Sequence, residues 1–228
     1  MALGLLLSVI PAVAGAATYY GPVNPYVSFD DSPLSFVGGQ YRLETWDSNS
    51  VGTGGYTVTG KTEVHAPGIY TDSVDADDGA IDGFGTEGHS LYVTSNDLTI
   101  DFDAIWGEQG DELPTGVGIV WTDVGFVTDT TVGYGPLTFV AYGPSGQLVS
   151  DAVRSIGDGK VTGETGEDTF FGLYHEGGIS RIVISMPTSV DWEVDHLQFG
   201  VAVPEPSTYA LMGLGLLGVA AAARRRRR

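Results

Sequence analysis

The chain has 228 residues, which is enough for one domain of ordinary size with short flanking segments. It contains no cysteine, so disulfide bridges, zinc–thiolate sites and cysteine nucleophiles are excluded. Residues 1–223 carry five basic and 29 acidic side chains, a formal charge of −24, whereas the last five residues are all arginine. Such an acidic body repels nucleic acid phosphates and attracts cations, so we expect no nucleic acid partner.

The first 16 residues have the composition of a secretory signal peptide. An apolar run over residues 3–13 is followed by Ala14, Gly15 and Ala16, the small-residue pattern that signal peptidase recognises. The alternative is a buried strand or helix, because no lysine or arginine precedes the apolar run. We predict a signal peptide over residues 1–16, export, and a mature chain that starts at Ala17.

The middle of the chain is predicted to be all-β. Short apolar or alternating runs are separated by Gly, Pro, Asp and Asn, and no stretch has a sustained helical period. This spacing predicts a single β-sandwich or jelly-roll domain over residues 17–200. The predicted strands cover residues 36–46, 56–65, 90–93, 98–103, 118–122, 137–142, 147–153, 169–174, 181–186 and 192–199.

The last predicted strand breaks its own alternation. Its apolar positions are 192 and 194, and then 197 and 199, so the inward face changes parity near Asp195 and His196. An extra residue in the strand, a β-bulge, would produce this change. Bulges often redirect a side chain towards a site, but a purely structural bulge is an equally good interpretation.

Residues 72–83 form the densest acidic stretch and offer the hard oxygen ligands that Ca²⁺ prefers. They do not form an EF-hand: with Asp75 at position 1, Gly79 stands where the fifth position needs an oxygen ligand. An irregular calcium loop and a simply solvated loop both remain open, and the solvated loop is the commoner case. A further hypothesis places Asp30 or Asp31 beside Asp195, because the end strands of jelly rolls commonly lie side by side. The tentative calcium ligands are Asp30, Asp75, Asp77, Asp78, Asp82 and Asp195.

Two other classes of function are open. Asp101, Asp103 and Glu108 belong to an acidic cluster, and glycoside hydrolysis requires paired carboxylates. Trp46, Trp106, Trp121 and Trp192 could form a sugar platform if they were at the surface, although sandwiches usually bury such side chains. No metalloprotease or serine hydrolase motif is present, so we predict that the chain is not an enzyme.

The carboxyl-terminal segment has three parts. Residues 201–207 are a linker with Val203, Pro204, Glu205 and Pro206, whose prolines favour an extended backbone. Residues 208–223 are uncharged and mostly apolar, which predicts a short transmembrane helix. The cytoplasmic arginine cluster that would stop this helix in the inner membrane consists of Arg224, Arg225, Arg226, Arg227 and Arg228.

These three parts, in this order, resemble the PEP-CTERM sorting signal of exported proteins in Gram-negative bacteria that produce exopolysaccharide. Segments of the body, such as residues 113–123 and 193–200, also resemble β-sandwich regions of such proteins. The resemblance implies that exosortase, a membrane protease, recognises the signal, and that the chain passes through the inner membrane to the cell surface or extracellular matrix. A structural or binding role there is expected, with extracellular polysaccharide as one candidate partner. The alternatives are a calcium-dependent carbohydrate-binding module and a secreted glycan-acting enzyme.

Overall fold

In a computed structural model, the chain forms two antiparallel β-sheets packed face to face. The structure describes residues 16–68, 70–76, 87–107, 109–124, 137–156 and 168–203. Its strands are β1 (Thr18–Val23), β2 (Phe36–Glu44), β3 (Tyr56–Thr59), β4 (Thr62–His65), β5 (Ser90–Val93), β6 (Asp97–Phe102), β7 (Gly116–Val124), β8 (Leu137–Tyr142), β9 (Leu148–Arg154), β10 (Thr169–Tyr174), β11 (Arg181–Ser185) and β12 (Trp192–Ala202). Two short 3₁₀ helices, Phe29–Asp31 and Val74–Ala76, complete the described elements.

The larger sheet has seven strands in the order β1-β10-β7-β12-β5-β4, with β2 also paired to β12, and the smaller sheet has the order β3-β6-β11-β8-β9. Every described strand pair is antiparallel. The predicted all-β sandwich is therefore confirmed.

The main core lies between the sheets. In β6, Leu98, Ile100 and Phe102 are buried while the residues between them are partly exposed, which confirms the predicted alternation. Burial of these faces removes apolar surface from water and is the main source of stability.

The centre of the larger sheet is also covered on its outer face. Strand β7 is buried at all nine positions, because its outward side chains lie under other segments of the chain. A second, smaller apolar cluster forms there from Tyr20, Tyr26, Leu34, Val74, Val120 and Phe170. Residues 26–34 and the segment at residues 72–76 supply part of this cover, which we call the outer layer.

The structure corrects the predicted strands in two places. The run at residues 56–65 is two strands, β3 and β4, which belong to different sheets. Gly60 has φ +157 between them, so the chain turns there instead of continuing straight. Strand β1 was not predicted because Gly21 and Pro22 interrupt its sequence.

The predicted membrane segments are outside the part of the chain that the structure describes. This holds for residues 1–15, which include Ala14, and for residues 204–228; Ala16 and Ala17 are described and directly precede β1. Among the described residues, no helix is both long and apolar enough to cross a membrane.

Candidate functional site

Strand β12 changes partner in its middle. Its first part pairs with β5, ending at Val194, and its second part pairs with β2, beginning at Leu197. On the other side, the register with β7 shifts between Asp195 and Gln198, where β12 has one residue more than β7. The β-bulge predicted at Asp195 and His196 is therefore confirmed, and it lies at the gap between β5 and β2.

Asp195 is fully buried in this gap. Its Oδ2 accepts hydrogen bonds from Ser73 Oγ (2.9 Å) and from the backbone N–H of Val74 (3.0 Å). Its Oδ1 accepts a bond from the backbone N–H of His196 (2.6 Å). Burial raises the pKa of Asp195 to about 7, although the charge and backbone N–H of His196 and the hydrogen bond from Ser73 act in the opposite direction. Asp195 therefore fastens the 72–76 segment of the outer layer onto β12.

His196 has a left-handed backbone, with φ 44, and its ring is almost fully buried. Its Nε2 lies 3.4 Å from Asp75 Oδ1, and its Nδ1 lies 3.2 Å from the hydroxyl oxygen of Tyr26. Burial by itself would lower the pKa of His196, but the carboxylates of Asp75 and Asp195 outweigh it and raise that pKa. In turn, the hydrogen bond from His196 lowers the pKa of Asp75.

A chain of polar side chains orients the His196 ring from behind. Gln198 Nε2 donates a hydrogen bond to the Tyr26 hydroxyl oxygen (2.7 Å), and Ser32 Oγ donates to Gln198 Oε1 (2.5 Å). The Tyr26 ring also packs edge-on against the His196 ring. These contacts fix the direction in which Nε2 of His196 points.

Asp75, Asp195 and His196 each offer a ligand atom, and all three atoms lie within 4.8 Å of one another. Asp75 is exposed, whereas the other two residues are buried. We call these three residues the Asp–His cluster. It can act as an internal ion-pair network, or it can bind a metal ion through two carboxylates and one imidazole nitrogen.

A second group of buried carboxylates lies next to the cluster on the same sheet. Glu193 and Asp123 are directly opposite each other in the β12–β7 register, and the backbone N–H of Asp72 donates to Glu193 Oε2 (2.8 Å). Ser90 Oγ also donates to this oxygen (3.2 Å). Burial, together with the nearby Asp123 and Asp72, raises the pKa of Glu193 well above its usual range.

The structure brings together only some of the tentative calcium ligands. Asp75 and Asp195 meet in the Asp–His cluster, whereas Asp30 is exposed in the first 3₁₀ helix and is not part of the cluster. The hypothesis that an end strand lies beside Asp195 is not met: β1 pairs with β10, and β2 pairs with β12 only from Leu197 onwards. Asp77, Asp78 and Asp82 lie outside the described residues.

The residues of the two alternative functions lie elsewhere. Asp101 forms an ion pair with Arg181 (2.5 Å), Asp103 is exposed, and Glu108 lies outside the described residues. All four tryptophans are 6% exposed or less, so they do not form a surface platform for sugars. Their burial is explained by the core, which needs large apolar side chains between two sheets.

Two members of the site's surroundings were not predicted as site residues. Ser73 and Tyr26 reach the Asp–His cluster from segments 122 and 170 residues away in sequence, respectively. No local pattern marks such residues. The parity change in β12 did mark His196, as a bulge residue and not as a metal ligand.

The fold and this site define a β-sandwich with a partly buried Asp–His cluster between β12 and the outer layer, at one face of its larger sheet. At residues 202–228, the chain matches the family model described as the PEP-CTERM protein-sorting motif. The chain therefore carries a PEP-CTERM sorting motif, which confirms the resemblance seen in the sequence. The matched region includes Val203, Pro204, Glu205, Pro206 and the five terminal arginines.

No curated protein matches the chain. Among solved structures, the chain is similar to the K2 cleaved adhesin domain of Lys-gingipain, with 10% identity over 72% of this chain and 99% of that chain, and a TM-score of 0.43. It is also similar to an exo-beta-agarase, with 10% identity over 74% of this chain and 25% of that chain, and a TM-score of 0.34. A family 11 carbohydrate-binding module from Clostridium thermocellum has 10% identity over 73% of this chain and 98% of that chain, with a TM-score of 0.22. With TM-scores this low, these similarities say nothing about function.

Proposed function

We propose that this chain is an exported protein that exosortase processes at its carboxyl-terminal motif and delivers to the cell surface or extracellular matrix of a Gram-negative bacterium. In this proposal the β-sandwich has a structural or binding role after delivery and is not an enzyme. The observation that carries the proposal is the match of residues 202–228 to the sorting motif.

The position of the motif relative to the fold supports this assignment. Strand β12 ends at Ala202, and the backbone N–H of Val203 donates a hydrogen bond to Ser35 O (2.7 Å). The next residue, Pro204, has no N–H and therefore cannot extend this pairing. Val203, the first residue of the motif, is 40% exposed, so a processing enzyme can reach the start of the motif without unfolding the domain.

The charge distribution supports the direction of export. The predicted helix over residues 208–223 is followed by five arginines, which by the positive-inside rule remain on the cytoplasmic side. The acidic body then lies outside, where its charge keeps it soluble and attracts cations. Signal peptidase is the processing enzyme we propose at the other end, with cleavage before Ala17.

The experiment is replacement of Pro204, Glu205 and Pro206 by alanine in a bacterium that contains exosortase. We expect the variant to lose its signal peptide, keep its carboxyl-terminal segment and accumulate in the inner-membrane fraction. Cell fractionation and immunoblotting measure this. The matched control is Ser207→Ala, which alters the next residue of the matched region and leaves Pro204, Glu205 and Pro206 unchanged, and it should be released normally. Normal release of the triple variant would refute the proposal. Because all three positions follow β12, the fold of the sandwich should be unchanged in both variants.

A further inference from the structure

We propose that Asp75, Asp195 and His196 form a binding site for a divalent ion of the Zn²⁺ or Mn²⁺ class. Each residue supplies one ligand atom, and these atoms lie within 4.8 Å of one another. The site belongs to the sandwich itself and does not depend on how the protein is sorted.

The spacing of two of the ligand atoms is that of neighbouring ligands on one ion. His196 Nε2 and Asp75 Oδ1 are 3.4 Å apart, which is longer than the usual N–H···O separation of about 2.9–3.0 Å. Two ligands bound to a tetrahedral ion at about 2.0–2.2 Å lie about 3.4 Å from each other. An ion between these atoms would therefore require little movement of either side chain.

The nitrogen donor changes the ion that we expect. The acidic composition of residues 72–83 suggested Ca²⁺, which takes six to eight oxygen ligands. The structure instead groups one imidazole with two carboxylates, and imidazole suits Zn²⁺ and other transition metals better than Ca²⁺. Three protein ligands of this kind leave a position for water or for a partner's side chain.

Surrounding contacts hold two of the ligands in position. Asp195 is fixed by Ser73, by Val74 and by the backbone of its neighbour His196. The other ring nitrogen of His196 faces the Tyr26 hydroxyl, so its Nδ1–H can donate to that oxygen when Nε2 binds a metal. Such outer contacts fix the tautomer and the direction of a histidine ligand.

The site is open to solvent on one side. The side chain of Asp75 is 38% exposed, whereas that of His196 is 4% exposed. A cation can therefore enter past Asp75 and bind to the buried Asp195 and His196. The negative charge of the body attracts cations and so favours this entry. The 72–76 segment would then be fastened to β12 by the ion as well as by hydrogen bonds.

The test uses the full chain, purified in detergent with a tag that contains no histidine and treated with EDTA. We expect calorimetric titration with Zn²⁺ to show one site, with a higher melting temperature in its presence. Asp75→Asn and His196→Asn should each weaken Zn²⁺ binding by at least about tenfold, because even outer contacts of metal sites contribute about that much. Asparagine is chosen at position 196 because it tolerates a left-handed backbone.

The matched control is Glu63→Gln. Glu63 lies 3.3 Å from His65, so it forms a carboxylate–imidazole pair, but this pair is not part of a three-ligand group among the described residues. The Zn²⁺ affinity of the Glu63→Gln variant should equal that of the unaltered chain. Melting temperatures in EDTA will show whether each variant is folded.

Co²⁺ provides a spectroscopic test of the donor set. Bound Co²⁺ should show the visible absorption of a site with nitrogen and oxygen ligands, and His196→Asn should remove it. The proposal is overturned if Zn²⁺ produces no heat, if Asp75→Asn binds it as tightly as the unaltered chain, or if Ca²⁺ binds there and Zn²⁺ does not. None of these results would change the outcome for the sorting-motif variant, so the two proposals fail separately.

Discussion

Replacement of Ser73 by alanine tests whether Asp195 fastens the outer layer to the larger sheet. Ser73 is fully buried; its Oγ donates to Asp195 Oδ2 (2.9 Å) and accepts from the backbone N–H of Asp75 (3.3 Å). A hydrogen bond to a charged group contributes about 1.5–3 kcal/mol, and the second, longer bond contributes less. We therefore expect Ser73→Ala to lower the free energy of unfolding by about 2–3 kcal/mol.

For a domain of this size, that loss corresponds to a fall in melting temperature of about 4–12 °C. The assay is thermal unfolding followed by near-ultraviolet circular dichroism of the buried tryptophans, at pH 8 and in EDTA. At pH 8 the Asp195 carboxyl, with its pKa of about 7, is mostly ionised. Ser50→Ala is the control, because Ser50 Oγ donates a hydrogen bond to Ser48 O in an exposed turn, and it should change stability by less than about 0.5 kcal/mol. Equal melting temperatures for Ser73→Ala and the unaltered chain would refute the role given to Asp195.

Two other variants test the surroundings of the site. Gly88 and Gly146 both have positive φ, but a Cβ at Gly88 would lie 2.4 Å from Ser73 Oγ and 2.6 Å from Asp75 Cβ, whereas one at Gly146 meets nothing within 4 Å. Urea unfolding should therefore show that Gly88→Ala is less stable than Gly146→Ala, and Gly88→Ala should also weaken metal binding. Equal stability of these two variants would contradict the close packing of Gly88 against Ser73 and Asp75. Because the pKa of Glu193 is raised in the folded chain, the folded chain binds the Glu193 proton more tightly than the unfolded chain does. The free energy of unfolding therefore falls as the pH rises from about 4.3, the ordinary pKa of a glutamate, through the pKa of Glu193 in the folded chain. Glu193→Gln should flatten the pH dependence of the melting temperature above pH 5 and raise stability at pH 8, and an unaltered pH profile would show that Glu193 is not the group responsible.

Much of the fold could be predicted because the core imposes a period of two on the strands. The alternation in β6 and the parity change in β12 directly indicate which side chains face the opposite sheet. The break between β3 and β4 was missed because Gly60 is a single residue within an otherwise continuous run. The residue types around Gly60 do not indicate that the chain passes there from one sheet to the other.

The site was less predictable because its members are far apart in sequence. The acidic stretch was recognised, but which of its carboxylates is used depends on how the 72–76 segment lies over β12. Asp75 and His196 are 121 positions apart and meet only because β12 exchanges β5 for β2 at the bulge. This exchange depends on the pairing of the whole sheet, which local patterns do not contain.

Export of the chain and its processing at the carboxyl-terminal motif can be tested together. The most direct measurement is the intact mass of the protein recovered from outside the cells. We expect one folded species that lacks both the signal peptide and the terminal arginines, and is therefore lighter than the 23.9 kDa of the full chain. Recovery outside the cells of a species that retains the Pro-Glu-Pro motif, the apolar run and the five arginines would refute processing at this motif.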